Sequence, residues 1–247
     1  MCNKMTTGLT SVTFRALDWR EVIAIVKDCG LGGIEWGGDI HVPPGDEVHA
    51  RRVSRATAEA GLAVLSYGSY YRLGAGECFV SVLETALALG AGVIRVWAGV
   101  KGSAEHSEAE RKLVIEDARR IADMAKEYNI VVALEYHRNT LTDTSESAVS
   151  LLKEAGGVKT YWQPNPELGH EDNLKELAEV LPWLVYLHVF QWKPDGARLP
   201  LQDGVVQWRE YIEQARGCAS AAILEFVRND TPTQCANDAE TLRRICE

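Results

Sequence analysis

The sequence predicts a single-domain α/β protein, a (β/α)8 barrel spanning residues 1–247. Three observations carry that prediction. The chain has 247 residues, close to the roughly 250 that one such barrel needs. Short apolar runs alternate with longer amphipathic ones, eight times over. The short runs are near-continuously apolar rather than alternating, as parallel strands covered on both faces must be.

The first strand is expected at Leu9–Phe14. Asp18-Trp19-Arg20-Glu21 then reads as a capping box, with Asp18 the N-cap and Glu21 returning to it. Val22, Ile23, Ile25 and Val26 supply that helix's buried face, and Gly30 stops it. Gly33–Trp36 and Ala63–Tyr67 are the next strands, separated by a helix over Glu47–Ala60 that Gly61 ends. A helix from Cys78 to Leu89, closed by Gly90, leads to a strand at Val93–Trp97. The longest helix is expected at Glu108–Tyr128, before a strand at Val131–Tyr136. Ser145–Glu154 is helical after Thr144, Lys159–Gln163 extended, and Asn173–Val180 helical. Val185–Phe190 and Ala222–Val227 are the last strands, with helices at Val205–Arg216 and Pro232–Ile245. Strand followed by helix throughout implies parallel pairing through right-handed crossovers. An open doubly wound sheet would show a glycine-rich phosphate turn after its first strand. Thr13-Phe14-Arg15-Ala16 is not such a turn.

Composition narrows the function. Twenty-six Lys and Arg against 35 Asp and Glu give a net charge of -9. Phosphate backbones and anionic membranes are bound through Lys and Arg, so neither nucleic acid nor membrane is an expected partner. Small anionic substrates need only a local cationic pocket. No run approaches the about 20 apolar residues that cross a bilayer, and Met1 to Thr10 lacks an apolar leader. The six cysteines form no CxxC pair, which suits free thiols in the cytoplasm. A homo-oligomer is compatible with the sequence.

Polar residues collect at the C-terminal ends of the strands, the end of a barrel that carries chemistry. Glu35 follows the second strand; Arg95 and Trp97 lie on the fourth; Glu135 and His137 on the fifth; Gln163 and Asn165 close the sixth; His188 is on the seventh and Glu225 on the eighth. A buried carboxylate needs an ion pair, hydrogen bonds or a metal. A salt bridge to Arg95 or Arg228 would satisfy either glutamate singly. Two such acids with a histidine between them in strand order favour a divalent metal, and the donor types suit Mn²⁺, Mg²⁺, Co²⁺ or Zn²⁺.

The runs Leu134-Glu135-Tyr136-His137, Leu187-His188-Val189-Phe190 and Leu224-Glu225-Phe226-Val227 resemble strands five, seven and eight of the xylose isomerase-like TIM barrels. That group includes sugar-phosphate isomerases and epimerases, ketose 3-epimerases, hydroxypyruvate isomerase-like proteins and relatives of endonuclease IV. The resemblance covers nearly the whole chain. It implies one divalent metal ion held by Glu135, His188 and Glu225, with Gln163 where the family places an aspartate. It implies a metal-dependent sugar or sugar-phosphate isomerase or epimerase, working by proton transfer next to a carbonyl through an enediolate. Glu135 and Glu225 would share the catalytic roles of proton acceptor and donor, the order depending on the substrate's configuration. The same scaffold also serves a dehydratase of keto-polyols, or a non-catalytic sugar-binding barrel, and both stay open. An abasic-site endonuclease is disfavoured by the acidic charge, the six histidines and Gln163.

Further residues are expected to touch substrate: Glu35 and His41 on the loop after strand two, Tyr67 beside Tyr70 after strand three, Arg95 and Trp97, His137, Asn165, Arg198 and Arg228. The arginines could receive a phosphate or carboxylate. Trp36, Trp97, Trp162 and Trp192 fall near strand ends, as the aromatic walls of a polyol pocket would.

Overall fold

The computed structural model describes residues 5–247; Cys2 lies outside them. Eight parallel strands close a barrel in sequence order: β1 (Thr6–Thr10), β2 (Gly33–Gly37), β3 (Ala63–Arg72), β4 (Val93–Trp97), β5 (Val131–Leu134), β6 (Lys159–Trp162), β7 (Leu184–Val189) and β8 (Ala221–Leu224). β8 returns to pair with β1, Gly8 opposite Ile223, so the sheet has no edge. The helices are α1 (Trp19–Asp28), α2 (Glu47–Glu59), α3 (Phe79–Leu89), α4 (Glu108–Lys126), α5 (Ser145–Ala155), α6 (His170–Val180), α7 (Val205–Ala215) and α8 (Pro232–Ile245). The (β/α)8 architecture is the one the alternating runs imply. Among the described residues no helix is long and apolar enough to cross a membrane.

Local chemistry sets the boundaries. Asp18 and Glu21 form the expected capping box at α1, and Ser107 with Glu110 forms a second at α4. Thr231 caps α8, whose first residue is Pro232. Gly90 ends α3 in the left-handed region, φ 77°.

One strand expectation is corrected. β1 runs over Thr6–Thr10, and the buried Ser11–Phe14 segment coils into a short 3₁₀ turn. The turn is buried because it lies over the barrel mouth: Ser11 Oγ accepts the Gly37 N–H at 2.8 Å and Thr13 Oγ1 accepts the Phe226 N–H at 3.0 Å. The true strand begins in polar Thr6-Thr7-Gly8. A Cβ on Gly8 would stand 2.3 Å from Leu65 Cδ1, so the glycine makes room for the leucine that fills the barrel floor. α6 starts at His170, three residues before the expected Asn173.

Apolar packing has two layers. Leu65, Val93, Ala133, Tyr161, Ala221 and Ile223 fill the barrel's interior. A larger cluster, with Val22, Ile34, Leu89, Ile121, Leu152, Leu177, Trp208 and Leu242 among its members, lies between strands and helices. A filled interior makes this barrel a rigid frame with chemistry only at its rim.

Candidate active site

Side chains two apart on a strand share a face. Val93 faces the interior, so Arg95 does too, one layer higher; Tyr186 places His188 in the same way. Glu35 sits mid-strand in β2, in register with Ser66 of β3. Glu135, Gln163 and Glu225 are each the first residue past β5, β6 and β8. The Glu135 and Glu225 amides still donate to the neighbouring strands, to Val96 O and Val189 O at 2.9 Å each. Their carboxylates are therefore held by sheet geometry rather than by loops.

These residues converge. Glu35, Arg95, Glu135, His188 and Glu225 are all buried, none more than 6% exposed. Arg95 Nε donates to Glu35 Oε1 at 3.1 Å, and its Nη1 donates to Glu135 Oε2. Glu35 Oε2 accepts from Ser66 Oγ at 2.8 Å. His188 Nε2 stands 3.3 Å from Glu35 Oε1, out of line for a hydrogen bond. Its Nδ1 is 3.3 Å from Gln163 Oε1 and 3.5 Å from Glu225 Oε2.

Electrostatics separates the acids. Burial works against the Glu35 carboxylate, but Arg95 and His188 outweigh it and hold its pKa well below the ordinary range. Burial pushes Glu225 up; His188 pulls the other way, and Glu135 adds to the rise. Burial also opposes charge on His188, yet the Glu225 and Glu35 carboxylates win and raise its pKa.

A cavity of about 330 Å³ opens above them. Arg95, Glu135, Gln163 and Glu225 form its floor, and Trp97, His137, Asn165, Trp192, Phe190 and Phe226 are on its walls. His137 stacks on Trp97, centroids 4.7 Å apart. Of the other residues expected at a substrate, Glu35 lies beneath the floor. His41 bonds Ser11 Oγ and the Leu17 carbonyl, and Tyr67 donates to Val42 O; neither lines the cavity. Arg198 pairs with Asp230 and lies over the outer side of the wall, 4.7 Å from the Phe226 ring centroid, and Arg228 is exposed and reaches Gln234; neither lines the cavity. Trp36 and Trp162 are fully buried packing residues, whereas Trp97 and Trp192 are walls.

Sequence reasoning missed Arg15, Arg138, Lys193, Phe190 and Phe226 as cavity residues. Phe226 directly follows Glu225, and Tyr70, whose ring flanks the same Arg15 guanidinium, is expected from sequence only as a ring for stacking. Both carry left-handed backbones, φ 54° and 60°. Bulky residues seldom hold that conformation, and here Phe226 N–H is tied to Thr13 and Tyr70 receives Arg15. Burial pushes the Tyr70 phenol up to about 12, so it stays protonated.

The floor suits a cation. One donor atom each from Glu135, His188 and Glu225 lie within 4.8 Å of one another. Ligands about 2.0–2.2 Å from a shared ion stand up to about 4.4 Å apart, so modest closure completes the set. Among the described residues no side chain donates a hydrogen bond to Glu225, which leaves its oxygens open to an ion. This buried Glu–His–Glu group could hold a metal, two carboxylates balancing a dication.

Comparison with known proteins agrees with the architecture. Across 260 aligned residues the chain is 26% identical to 3-dehydroshikimate dehydratase of Bacillus anthracis, covering 90% of this chain and 91% of that protein. The probable 3-DHS dehydratase of petrobactin synthesis from Bacillus anthracis superposes with TM-score 0.81 at 22% identity, over 97% of this chain and 99% of that one. D-psicose 3-epimerase from Clostridium cellulolyticum H10, solved with D-tagatose, gives 0.74 at 15% identity, over 98% and 100%. The model of the xylose isomerase-like TIM barrel family matches residues 23–245, and the chain belongs to that family.

Proposed function

We propose that this barrel is a divalent-metal-dependent dehydratase of a hydroxylated keto acid, 3-dehydroshikimate being the first substrate to test. The observation that carries the reading is the convergence of Glu135, His188 and Glu225 beneath one cavity. Such a floor fits proton removal next to a carbonyl. That step is shared by isomerases, epimerases and dehydratases, so the site alone does not choose between them. The 26% identity to a 3-dehydroshikimate dehydratase over nine-tenths of the chain supports dehydration. Of the cavity's cations, Arg138 and Lys193 suit a substrate carboxylate, Arg15 being paired with Asp39 at 2.9 Å.

An ion held by Glu135, His188 and Glu225, with the Gln163 amide oxygen beside them, would supply Lewis-acid polarisation of the substrate carbonyl. Glu225, which unlike Glu135 receives no hydrogen bond from Arg95, takes the proton from the carbon beside that carbonyl. Glu135 is pinned by Arg95. The electron pair left on carbon moves to form the carbon–carbon double bond, and the hydroxyl one carbon further on leaves as water. His137 stands on the wall to protonate that leaving oxygen. Trp97 and Trp192 cover the reacting ring and limit water.

The test is product analysis of the Mn²⁺- or Mg²⁺-loaded protein with 3-dehydroshikimate in D₂O. A product lighter by one water supports dehydration. Deuterium incorporation into ketohexoses without loss of water returns the site to the isomerase or epimerase reading. Ligand binding with no turnover in either assay sinks the enzyme reading.

A further inference from the structure

We propose that Glu35 is a positioning residue, one carboxylate that orients two of the three ion-holding side chains: His188 directly and Glu135 through Arg95. This rests on the metal reading of the site.

Glu35 is fully buried and does not line the cavity, so it cannot touch substrate. Its oxygens are divided between tasks. Oε2 is fixed by Ser66 Oγ at 2.8 Å, and the sheet register places Ser66 opposite it. Oε1 accepts Arg95 Nε at 3.1 Å and lies 3.3 Å from His188 Nε2. The Glu35 charge holds the Nε2 edge without an aligned hydrogen bond, and Nδ1 is the nitrogen facing Glu225 and Gln163, where an ion would sit. Arg95 in turn reaches Glu135 with Nη1. A planar guanidinium clamped at Nε presents its Nη donors in a fixed direction. The chain of contacts thus sets the orientation of an imidazole on β7 and a carboxylate past β5 from one atom on β2. Carboxylates behind a metal-bound histidine fix its ring and tautomer, and their loss typically weakens metal binding about 10–100-fold.

A glutamine here keeps the size but offers one acceptor and one donor. Its NH₂ would face either Arg95 or Ser66, and the charge that holds His188 is gone. An aspartate keeps the charge but draws it back by one methylene.

The experiment is Mn²⁺ titration of the metal-stripped protein, followed by calorimetry and water-proton relaxation. The wild type is expected to bind one Mn²⁺ and Glu225→Gln to lose it. Glu35→Gln should bind about 10–100-fold more weakly with unchanged circular dichroism, and Glu35→Asp should recover part of that loss. Equal binding by Glu35→Gln and wild type, with Glu225→Gln still inactive in binding, overturns the role of Glu35 alone. No binding by the wild type overturns the metal reading and this inference with it. Should Glu35→Gln fail to fold, Glu35→Asp and Ser66→Ala carry the test: both should weaken binding, and unchanged binding in both overturns the inference.

Discussion

Arg95 and Glu35 form an ion pair from which water is excluded, Nε to Oε1 at 3.1 Å, with the two side chains 1% and 0% exposed. A pair buried so completely is tolerable only because Ser66, Glu135 and His188 complete its surroundings. Burial opposes the Arg95 charge, and Glu135 and Glu35 more than offset it. Arg95→Met should therefore cost about 3–5 kcal/mol at neutral pH, since two carboxylates lose their counter-charge. Glu35 has a depressed pKa, so its share of stability is present above the ordinary carboxylate range and is lost as pH falls through its lowered value. In Arg95→Met that carboxylate protonates more readily, and the deficit should shrink as pH falls toward about 4. Urea unfolding at both pH values measures it; an equal deficit at each would contradict the assignment.

Glu225 should behave in the opposite sense. Its folded-state pKa is raised, burial being the main cause. A raised carboxyl stabilises the fold fully below the ordinary carboxylate range and loses that contribution as pH rises through its folded value. Glu225→Gln removes the buried charge and should raise the melting temperature of metal-free protein at neutral pH. A gain of about 1 kcal/mol corresponds to about 2–4 °C at this chain length. The gain should vanish near pH ~4, where the carboxyl is already neutral. Turnover should fall by about 10²–10⁴-fold if Glu225 is the base. A variant that is less stable at neutral pH and fully active would refute both halves.

Much of this was legible in the sequence. The apolar runs located β2 to β8, because parallel strands buried on both faces leave no polar alternation to confuse them, and met β1 only at Leu9 and Thr10. Glu135, His188 and Glu225 stood out because each interrupts an apolar run, where an unpartnered polar group is costly. The depth of Glu35 was not legible. Gly-Ile-Glu-Trp-Gly reads equally well as a strand end or a loop start, and only the pairing with β3 shows that Glu35 is mid-strand. The partners of His41 and Tyr67 were hidden for a different reason: Ser11 and Val42 lie 30 and 25 residues away from them in sequence. Nothing in the sequence showed that the 3₁₀ turn before Arg15 would bring it to the cavity beside Tyr70. Arg198 carries no local sign that Asp230 would claim it.

Gln163 supplies a direct test of the donor set. Its Oε1 lies 3.3 Å from His188 Nδ1 and it lines the cavity floor. Gln163→Asp would add a third carboxylate to a hard cation's surroundings, which strengthens binding in proportion to ligand charge. Mn²⁺ affinity should rise by roughly tenfold. The added anion should also lower the stability of the metal-free protein, as a like charge beside Glu135 and Glu225. Weaker Mn²⁺ binding by Gln163→Asp would mean that Gln163 does not face the ion.

Gly68 tests whether the Arg95 clamp dictates sequence at a distance. Gly68 lies on β3, in register with Arg95 on β4. A Cβ built there would stand 2.6 Å from Arg95 Nη2 and 3.4 Å from Glu35 Oε1. Elsewhere the end of an arginine could swing aside cheaply. Here it is held by two buried carboxylates, so relieving the clash means loosening the contacts to Glu35 or Glu135. Gly68→Ala should therefore destabilise by about 1–3 kcal/mol and weaken Mn²⁺ binding alongside. The two losses share one cause, so they should not add in combination with Arg95→Met. In that background the guanidinium is gone, and the alanine should cost much less. If Gly68→Ala is as damaging in the Arg95→Met background as in the otherwise unchanged protein, the glycine is needed by the backbone and not by the clamp.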